Sequence, residues 1–398
     1  MKIVFSLLIA AFSLNAATIT LDAILQRVKD EHPLSKSIKS LKEAHSSQNR
    51  ASELNEPLEF LAAGAYAKPD AEKAGYEYSV GLEQNIMHPG AKKGAARSVK
   101  YQNESEILEL ENDLFVLRQE VKFLYHVNCL NQKSTLQYRD SFLAFEKFYE
   151  KKKRAYEHGE ISKKDLLALQ IELERIRAEY KLYENEVNIS RDNLESKALL
   201  PSLREDELSC KDIVPITKEL QFDYEGETLL EQSIEKKILT YQSDYERYNV
   251  SFDSFTLGAT YENELDTDRF VFSLSMPLNF TNSFNEDNRA AAMHKKSALM
   301  HEKEGVRLQK SSHAEALKKE LSQNYENITA YKAMAQKYEN ELMPLVKGAY
   351  ELGEGSVMEY LLSQRELTDL KKELIEHYKK YYETLFKLYS VLQTKEEL

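Results

Sequence analysis

Apolar residues recur along this chain at two spacings, and the switch between them divides it into elements. Ile107, Leu110, Leu114, Leu117, Val121 and Leu124 step by threes and fours, as do Leu166, Leu169, Leu173, Ile176, Tyr180, Tyr183 and Val187. Such a seam runs along one face of an α-helix and sets long helices side by side. Elsewhere the period falls to two. Tyr76, Tyr78, Val80 and Leu82 alternate with Glu77, Ser79, Gly81 and Glu83. Phe255, Leu257, Ala259 and Tyr261 alternate with Thr256, Gly258, Thr260 and Glu262. Phe270, Phe272, Leu274 and Met276 alternate with Val271, Ser273 and Ser275, and a weaker fourth strand spans 58–67. Aromatic residues on the apolar side suit strands that face lipid, or one side of a soluble sheet. The narrow helical seams offer little surface to cover a sheet, which favours the lipid.

Glycine and proline mark the breaks, because both disfavour helix interiors. Neither occurs between Gly94 and Gly159, between Gly159 and Pro201, or after Gly355. The elements then fall into two repeats. The first, 17–200, has a helix (20–49), two strands, a long helix (91–158) and a return helix (162–200). After a linker, 201–224, the second repeat, 225–398, has a helix (225–248), two strands, a long helix (285–352) and a return helix (356–393).

The turns between long and return helices are near copies. Tyr156, Glu157, Gly159, Glu160, Ser162, Asp165, Leu167 and Gln170 match Tyr350, Glu351, Gly353, Glu354, Ser356, Glu359, Leu361 and Gln364. Each glycine can end a helix in the left-handed conformation. Each serine can cap the next, with its acid in the first turn. Those needs explain Gly and Ser but not the shared Tyr, Leu and Gln, so duplication is the better reading.

At 1.5 Å per residue the long helices reach about 100 Å, the return helices about 60 Å and the helices before the strands about 35–45 Å. One short and one return helix together match one long helix, giving four helical columns per chain. Four strands cannot close a membrane barrel, whose smallest members have eight, and lipid does not tolerate open sheet edges. The strands must be shared between identical chains. Two chains would give a barrel filled by side chains, whereas three give twelve strands and a lumen. The fold expected is mainly α with a small antiparallel β part. It is a long helical-hairpin tube, with four strands contributed to a trimeric 12-stranded membrane β-barrel, which the family resemblance given below implies is an outer-membrane β-barrel.

Composition adds less. Residues 1–16 read as a signal peptide: a basic start at Lys2, an apolar run over 3–12, then small residues ending at Ala16. The net charge of −12 argues against a nucleic-acid partner. Cys129 and Cys210 are the only cysteines. Two readings stand for them, a disulfide in an oxidising compartment or two isolated buried thiols. His294 and His301 lie seven apart on one helix, but no HExxH or CxxC accompanies them, so neither metal nor cofactor is expected. The run Lys151-Lys152-Lys153-Arg154 near the first tip is either a solvated face or a surface for an acidic partner.

The two tips of form Tyr-x-x-Gly-x-x-Ser-x-x-acid-x-Leu, with strand pairs ahead of long helices, resemble the TolC-like outer-membrane efflux proteins. The resemblance covers nearly the whole chain beyond residue 16. It implies a homotrimer in outer-membrane lipid that extends into the periplasm. It also implies a passive duct in tripartite efflux or type I secretion, not an enzyme. The duct would receive cargo through a periplasmic adaptor (membrane fusion) protein from an inner-membrane pump such as an RND or ABC transporter. Adaptor contacts carried over by motif are Tyr156, Gly159, Ser162, Leu166 and Leu167 in the first tip and Tyr350, Gly353, Ser356, Tyr360 and Leu361 in the second. Asp165 and Glu359 match acidic gate positions, where a threefold ring would favour cations; as first-turn acids they also suit the helix dipole. Gly355 and Leu362 stand where some members carry a basic residue and a second acid, so the closing contacts differ here.

Two other classes remain in view. A soluble periplasmic coiled-coil adaptor or scaffold would require the strand alternation to be incidental. A periplasmic hydrolase would require a nucleophile or metal signature that is not seen.

Overall fold

The computed structural model describes residues 18–68, 74–204, 207–218, 226–277 and 283–393; the expected signal peptide, 1–16, lies outside the described residues. In order, the elements are β1 (Thr18–Ile19), α1 (Leu21–Glu31), α2 (Pro33–Ser52), β2 (Glu59–Ala67), β3 (Gly75–Met87), α3 (Pro89–Glu157) and α4 (Lys163–Ala198). There follow β4 (Glu207–Leu208), α5 (Leu229–Tyr248), β5 (Ser254–Asn263), β6 (Asp268–Ser275), α6 (Phe284–Lys337), α7 (Met343–Glu351) and α8 (Val357–Leu392). All four expected long strands form, and α3 runs 69 residues, about 100 Å.

Two expected helices are interrupted, each at a proline the glycine count passed over. The helix expected over 20–49 breaks at His32, because Pro33 disfavours helical backbone in the residue before it. The helix expected over 285–352 contains a π-helical turn, Tyr338–Leu342, before α7. Pro344 lacks an N–H and crowds the carbonyl four residues back, and the wider turn relieves both.

The chain divides into two compact units. The first comprises 1–35, 114–224 and 312–398, and the second 36–113 and 225–311, so α3 and α6 contribute to both. In the first unit, one apolar core joins Leu21, Ile24, Leu25 and Val28 of α1 to Leu117, Val121 and Tyr125 of α3 and Leu194 of α4. A second joins Leu317 and Leu321 of α6 to Tyr381, Leu385 and Leu388 of α8.

The described part of the linker, 207–218, is strapped across this unit by polar bonds. Glu207 and Leu208 pair in parallel with Thr18 and Ile19. Cys210 is disulfide-bonded to Cys129, with Cα atoms 5.5 Å apart, which decides between the two cysteine readings. Closing a loop of this 81-residue separation is worth about 4 kcal/mol by chain entropy. The Tyr125 hydroxyl donates to the Ser209 carbonyl. Asp212 accepts from the Leu21 N–H (3.2 Å), helping Thr20 cap α1. The Tyr382 hydroxyl donates to the Val214 carbonyl (2.7 Å), and Tyr381 binds both the N–H and the carbonyl of Thr217.

His126 completes the strap. Its Nε2 accepts from the Val214 N–H (3.0 Å), so Nδ1 carries the proton and donates to the Lys122 carbonyl (2.7 Å). Protonation would turn Nε2 into a donor facing a donor. Burial pushes the imidazole down to about 4. An imidazole with a lowered folded value stabilises the fold above its unfolded value and loses that stability as pH falls toward 4. Denaturant melts should therefore show wild type losing about 3 kcal/mol more than His126→Gln between pH 7 and pH 4. Parallel pH profiles for the two proteins would refute the assignment.

Candidate functional site

Two places concentrate the predicted functional residues: the sheet of the second unit and the hairpin tips of the first. The sheet is antiparallel in the order β2-β3-β5-β6. Its register places Phe60 opposite Leu82, Tyr66 opposite Tyr76, Val80 opposite Tyr261 and Ala259 opposite Phe272. Because side chains alternate across a strand, these residues share one face. That face is apolar and uncovered; Phe272 is 84% exposed, and Tyr76, Phe270 and Phe60 nearly as much. At one end Tyr66 meets Tyr76 (5.2 Å), and Tyr261 meets both Tyr78 (6.2 Å) and Phe270 (5.2 Å).

The opposite face carries Glu59, Glu77, Ser79, Glu83, Thr256, Thr260, Glu262 and Ser273. Glu59 lies directly opposite Glu83, an arrangement that costs stability unless water separates the charges. Gly81 is needed on this face, since a Cβ there would come within 3.0 Å of the Ala259 carbonyl. Among the described residues β2 and β6 each pair on one side only, so each leaves an open row of backbone donors and acceptors.

The two tips share their turn-forming bonds, and the second adds one from the Gly355 N–H to the Ala349 carbonyl (3.0 Å). Gly159 and Gly353 have φ of +76° and +79°. Glu160 N–H donates to the Ala155 carbonyl, and Glu354 N–H to that of Ala349, both at 2.9 Å. Ser162 and Ser356 accept from the N–H of Asp165 and Glu359, both at 3.1 Å. Even the distant ends of the return helices match: α4 and α8 are each 36 residues and close on Leu199 and Gln393, both at φ 52°.

Burial separates what the backbone repeats. Tyr350 is 8% exposed, but its counterpart Tyr156 is 37% exposed. Tyr350, Tyr360 and Leu361 pack into one core with Phe145 of α3 and Leu169, Leu173 and Ile176 of α4. Leu167 is exposed and Leu166 half-buried. The apolar residues exposed at the second tip are instead Leu352, Met358 and Leu362; of these, sequence reasoning had passed over Leu352. Asp165 and Glu359 stand at the first turns of their helices, with the Ser162 hydroxyl also donating to the Asp165 carboxylate (2.8 Å).

Lys152 is neither a solvated lysine nor free for an acidic partner. Its Nζ sits 4.2 Å from the ring centre of Tyr350, a cation–π contact between the two hairpins. Burial and the neighbouring Lys151 push its ammonium below the usual range. Tyr350 itself stacks on Tyr360 (5.6 Å). Burial, then the Asp165 charge, push its phenol up to about 12, and its hydroxyl has no hydrogen-bond partner. Lys151, Lys153 and Arg154 remain exposed.

A second tie between hairpins centres on Glu172 of α4, whose side chain is wholly buried. Arg175 binds one carboxylate oxygen through two nitrogens at 3.0 and 2.6 Å. Arg365 of α8 binds the other at 3.0 and 2.8 Å. Burial alone would raise the Glu172 carboxyl, but the hydrogen bonds from both guanidinium groups outweigh it and hold it below the usual range. Of the remaining candidates, His294 and His301 are both exposed. Among the described residues no group of three or more His, Cys, Asp or Glu could hold a metal, and no helix is long and apolar enough to cross a membrane.

No model of a known protein family matches the chain, and no curated protein matches it in sequence. Solved structures do match. The outer membrane protein VceC of Vibrio cholerae superposes with a TM-score of 0.75 at 12% identity, over 94% of this chain and 95% of that one. The CmeC outer membrane channel of Campylobacter jejuni gives 0.73 at 13%, over 94% and 87%. The open state of the Neisseria gonorrhoeae MtrE outer membrane channel gives 0.71 at 16%, over 94% and 88%. The chain thus has the fold of TolC-family outer-membrane channels, as its tips and strand pairs led one to expect.

Removing the Glu172 charge would leave the Arg175 and Arg365 guanidinium groups, 27% and 43% exposed, without the carboxylate between them. Glu172→Gln should cost about 3 kcal/mol, and Arg365→Gln less, because Arg365 is half-exposed and Arg175 remains. Hydrogen exchange should accelerate along the tip-side turns of both α4 and α8 in Glu172→Gln. Exchange unchanged in α8 would show that the cluster does not tie the hairpins.

Proposed function

We propose that this protein is the outer-membrane duct of a tripartite efflux or type I secretion system. The observation that carries the reading is the sheet: one face uncovered and apolar, the other mixed, with Glu, Ser and Thr beside Leu61, Ala63, Ala65 and Val271, and both edges open among the described residues. An apolar face of this kind is stable against lipid and costly against water. Open edges in lipid are not tolerated, so the four strands must continue into strands of other copies. Three copies give a closed twelve-stranded barrel with a polar lumen. The protein is then a homotrimer that is embedded in outer-membrane lipid and reaches into the periplasm. The likeness in fold to outer membrane channels supports the same reading. A soluble adaptor or scaffold would leave Phe60, Tyr76, Phe270 and Phe272 in water without a reason.

A duct of this kind does no chemistry on its cargo. Energy and selection come from an inner-membrane pump such as an RND or ABC transporter, through a periplasmic adaptor. The exposed Tyr156 and Leu167 and the half-buried Leu166 at the first tip, and Leu352 and Met358 at the second, are the apolar surface offered to that adaptor. Gly159, Ser162, Gly353 and Ser356 hold the turns that present it. Asp165 and Glu359 supply the charge at the closed end, each repeated three times around the axis.

Purified in non-ionic detergent, the protein should form three-chain particles by light scattering; a stable detergent-bound monomer would overturn the barrel. Phe272→Lys should cost about 2–4 kcal/mol if the position lies mid-bilayer, and deplete protein from the outer-membrane fraction. In planar bilayers under a salt gradient, Asp165→Asn with Glu359→Gln should move the reversal potential toward zero from the cation-selective side. An unmoved potential would remove both acids from the gate.

A further inference from the structure

We infer that the first unit carries a helical seam between copies of this chain: an uncovered apolar stripe on α4 docks against an uncovered apolar stripe on α6–α7 of a second copy. The inference rests on the proposed ring of identical chains and names the residues of its helical contact. Helix α4 turns Leu169, Leu173 and Ile176 into the core of its own chain. On its other side Leu167, Ile171, Ala178, Leu182 and Ile189 step 4-7-4-7 and are all exposed. One apolar stripe suffices to hold a helix on its own chain. A second one of helical period, left in water, marks a surface made for contact.

The second hairpin carries a stripe of the same kind. Leu317, Leu321 and Ile328 of α6 face the core of their own chain. Ala330, Met334, Leu342, Leu345 and Leu352 are exposed, Leu345 by 71%. The step from 334 to 342 is one residue longer than a heptad. The π turn, Tyr338–Leu342, falls inside that step and takes up the extra residue, so the stripe stays on one face.

The two stripes also match in level. Helix α4 runs away from its tip and α6–α7 runs toward its own, so two copies with their tips at one height pack these helices antiparallel. Set Ala178 level with Leu342. Ile189 then comes level with Ala330, and Leu167 with Leu352, each to within one residue. Ile171 and Leu182 fall between these layers, as do Leu345 and Met334, which is the interleaving that knobs-into-holes packing requires. Leu167 and Leu352 close the stripes at the tip end, where they pass into the surface offered to the adaptor.

Charge complementarity marks the occupant as a second copy. In this register Lys163 and Lys164 stand within three residues of the level of Glu354, and Lys181 within two of Glu341. Other charges on these helices are matched inside the chain, as Arg177 is to Glu146 and Lys371 to Glu339. Among the described residues, those three lysines and two glutamates have no ion pair within their own chain. Because the two stripes are different surfaces, the contact is head-to-tail and repeats until the ring closes.

Ala178→Cys with Leu342→Cys tests the seam in the full-length protein in non-ionic detergent, with no other protein present. Both sites are exposed, and Cys129 and Cys210 are already joined to each other. Mild oxidation should give covalent dimers and trimers on non-reducing denaturing gels. Either cysteine alone should give none, because like sites do not meet in a head-to-tail contact. Pairing Ala178→Cys with Leu352→Cys should also give none, since ten residues along a helix is about 15 Å, beyond disulfide reach. No ladder from the first pair, in particles that light scattering shows to hold three chains, would overturn the seam and leave the trimer. Cross-linking by either single variant, or equal ladders from both pairs, would overturn the head-to-tail register. A ladder ending at a number other than three would support the seam and overturn the threefold count, and a monomer by light scattering would overturn both.

Discussion

An unpaired strand edge is the constraint on which everything else in this fold turns. A backbone N–H or C=O left without a partner in hydrocarbon costs several kcal/mol, and β2 and β6 each expose a row of them. The apolar face calls for lipid, and the edges forbid lipid to a single copy. The two demands are met together only if strands are borrowed from neighbours. In the barrel proposed above the chain would reach its working state only with its neighbours, and duplicated hairpins follow from the same need. Each strand pair must be delivered to a shared ring by a helix pair, so two strand pairs require two.

Rigidity in the first unit comes from a different source. Its helices bury narrow seams, which bring modest apolar area per residue. The linker strap compensates with directional bonds: a disulfide, a carboxylate at a helix start, and the imidazole and phenols of His126, Tyr125, Tyr381 and Tyr382 on linker backbone. Each of these hydrogen bonds satisfies a backbone group that would otherwise be orphaned beside an apolar core. Specificity there rests on neutral His126, because only the uncharged ring can accept from Val214.

Where the pattern was periodic, the sequence was legible. The alternation from Tyr76 and from Phe255 located strands to within a few residues, and the near-identical tips located both helix reversals. What escaped had no local signature. Leu199 and Gln393 end their helices in the left-handed conformation without glycine, at a cost of about 1 kcal/mol each that nothing in the residue type advertises. The π turn needed Pro344 to be weighed against a strong helical context. Glu172 reads as one more charge beside a heptad seam, and its partner Arg365 is 193 residues away. The candidate tip residues were placed correctly on their turns, but no repeat-based argument could tell Tyr156 from Tyr350. Their difference lies in what packs against them.

That difference carries the functional meaning of the duplication. Two tips of one backbone design would present the same surface if both were equally exposed. Here Tyr350 is drawn inward by Phe148, Tyr360 and the Lys152 ammonium, and Glu172 fastens the two return helices together a few turns further along. The second tip thus spends its aromatic residues on its own chain, while the first keeps Tyr156 and Leu167 outside. The two tips are therefore chemically distinct surfaces on one backbone design. The ties that distinguish them are a cation over a ring and a carboxylate between two guanidinium groups. Both are short-range and both sit between hairpins, so either hairpin can move only when they are exchanged for other contacts. The asymmetry is built by these few side chains, within a frame of Gly, Ser and acid that the two tips hold in common.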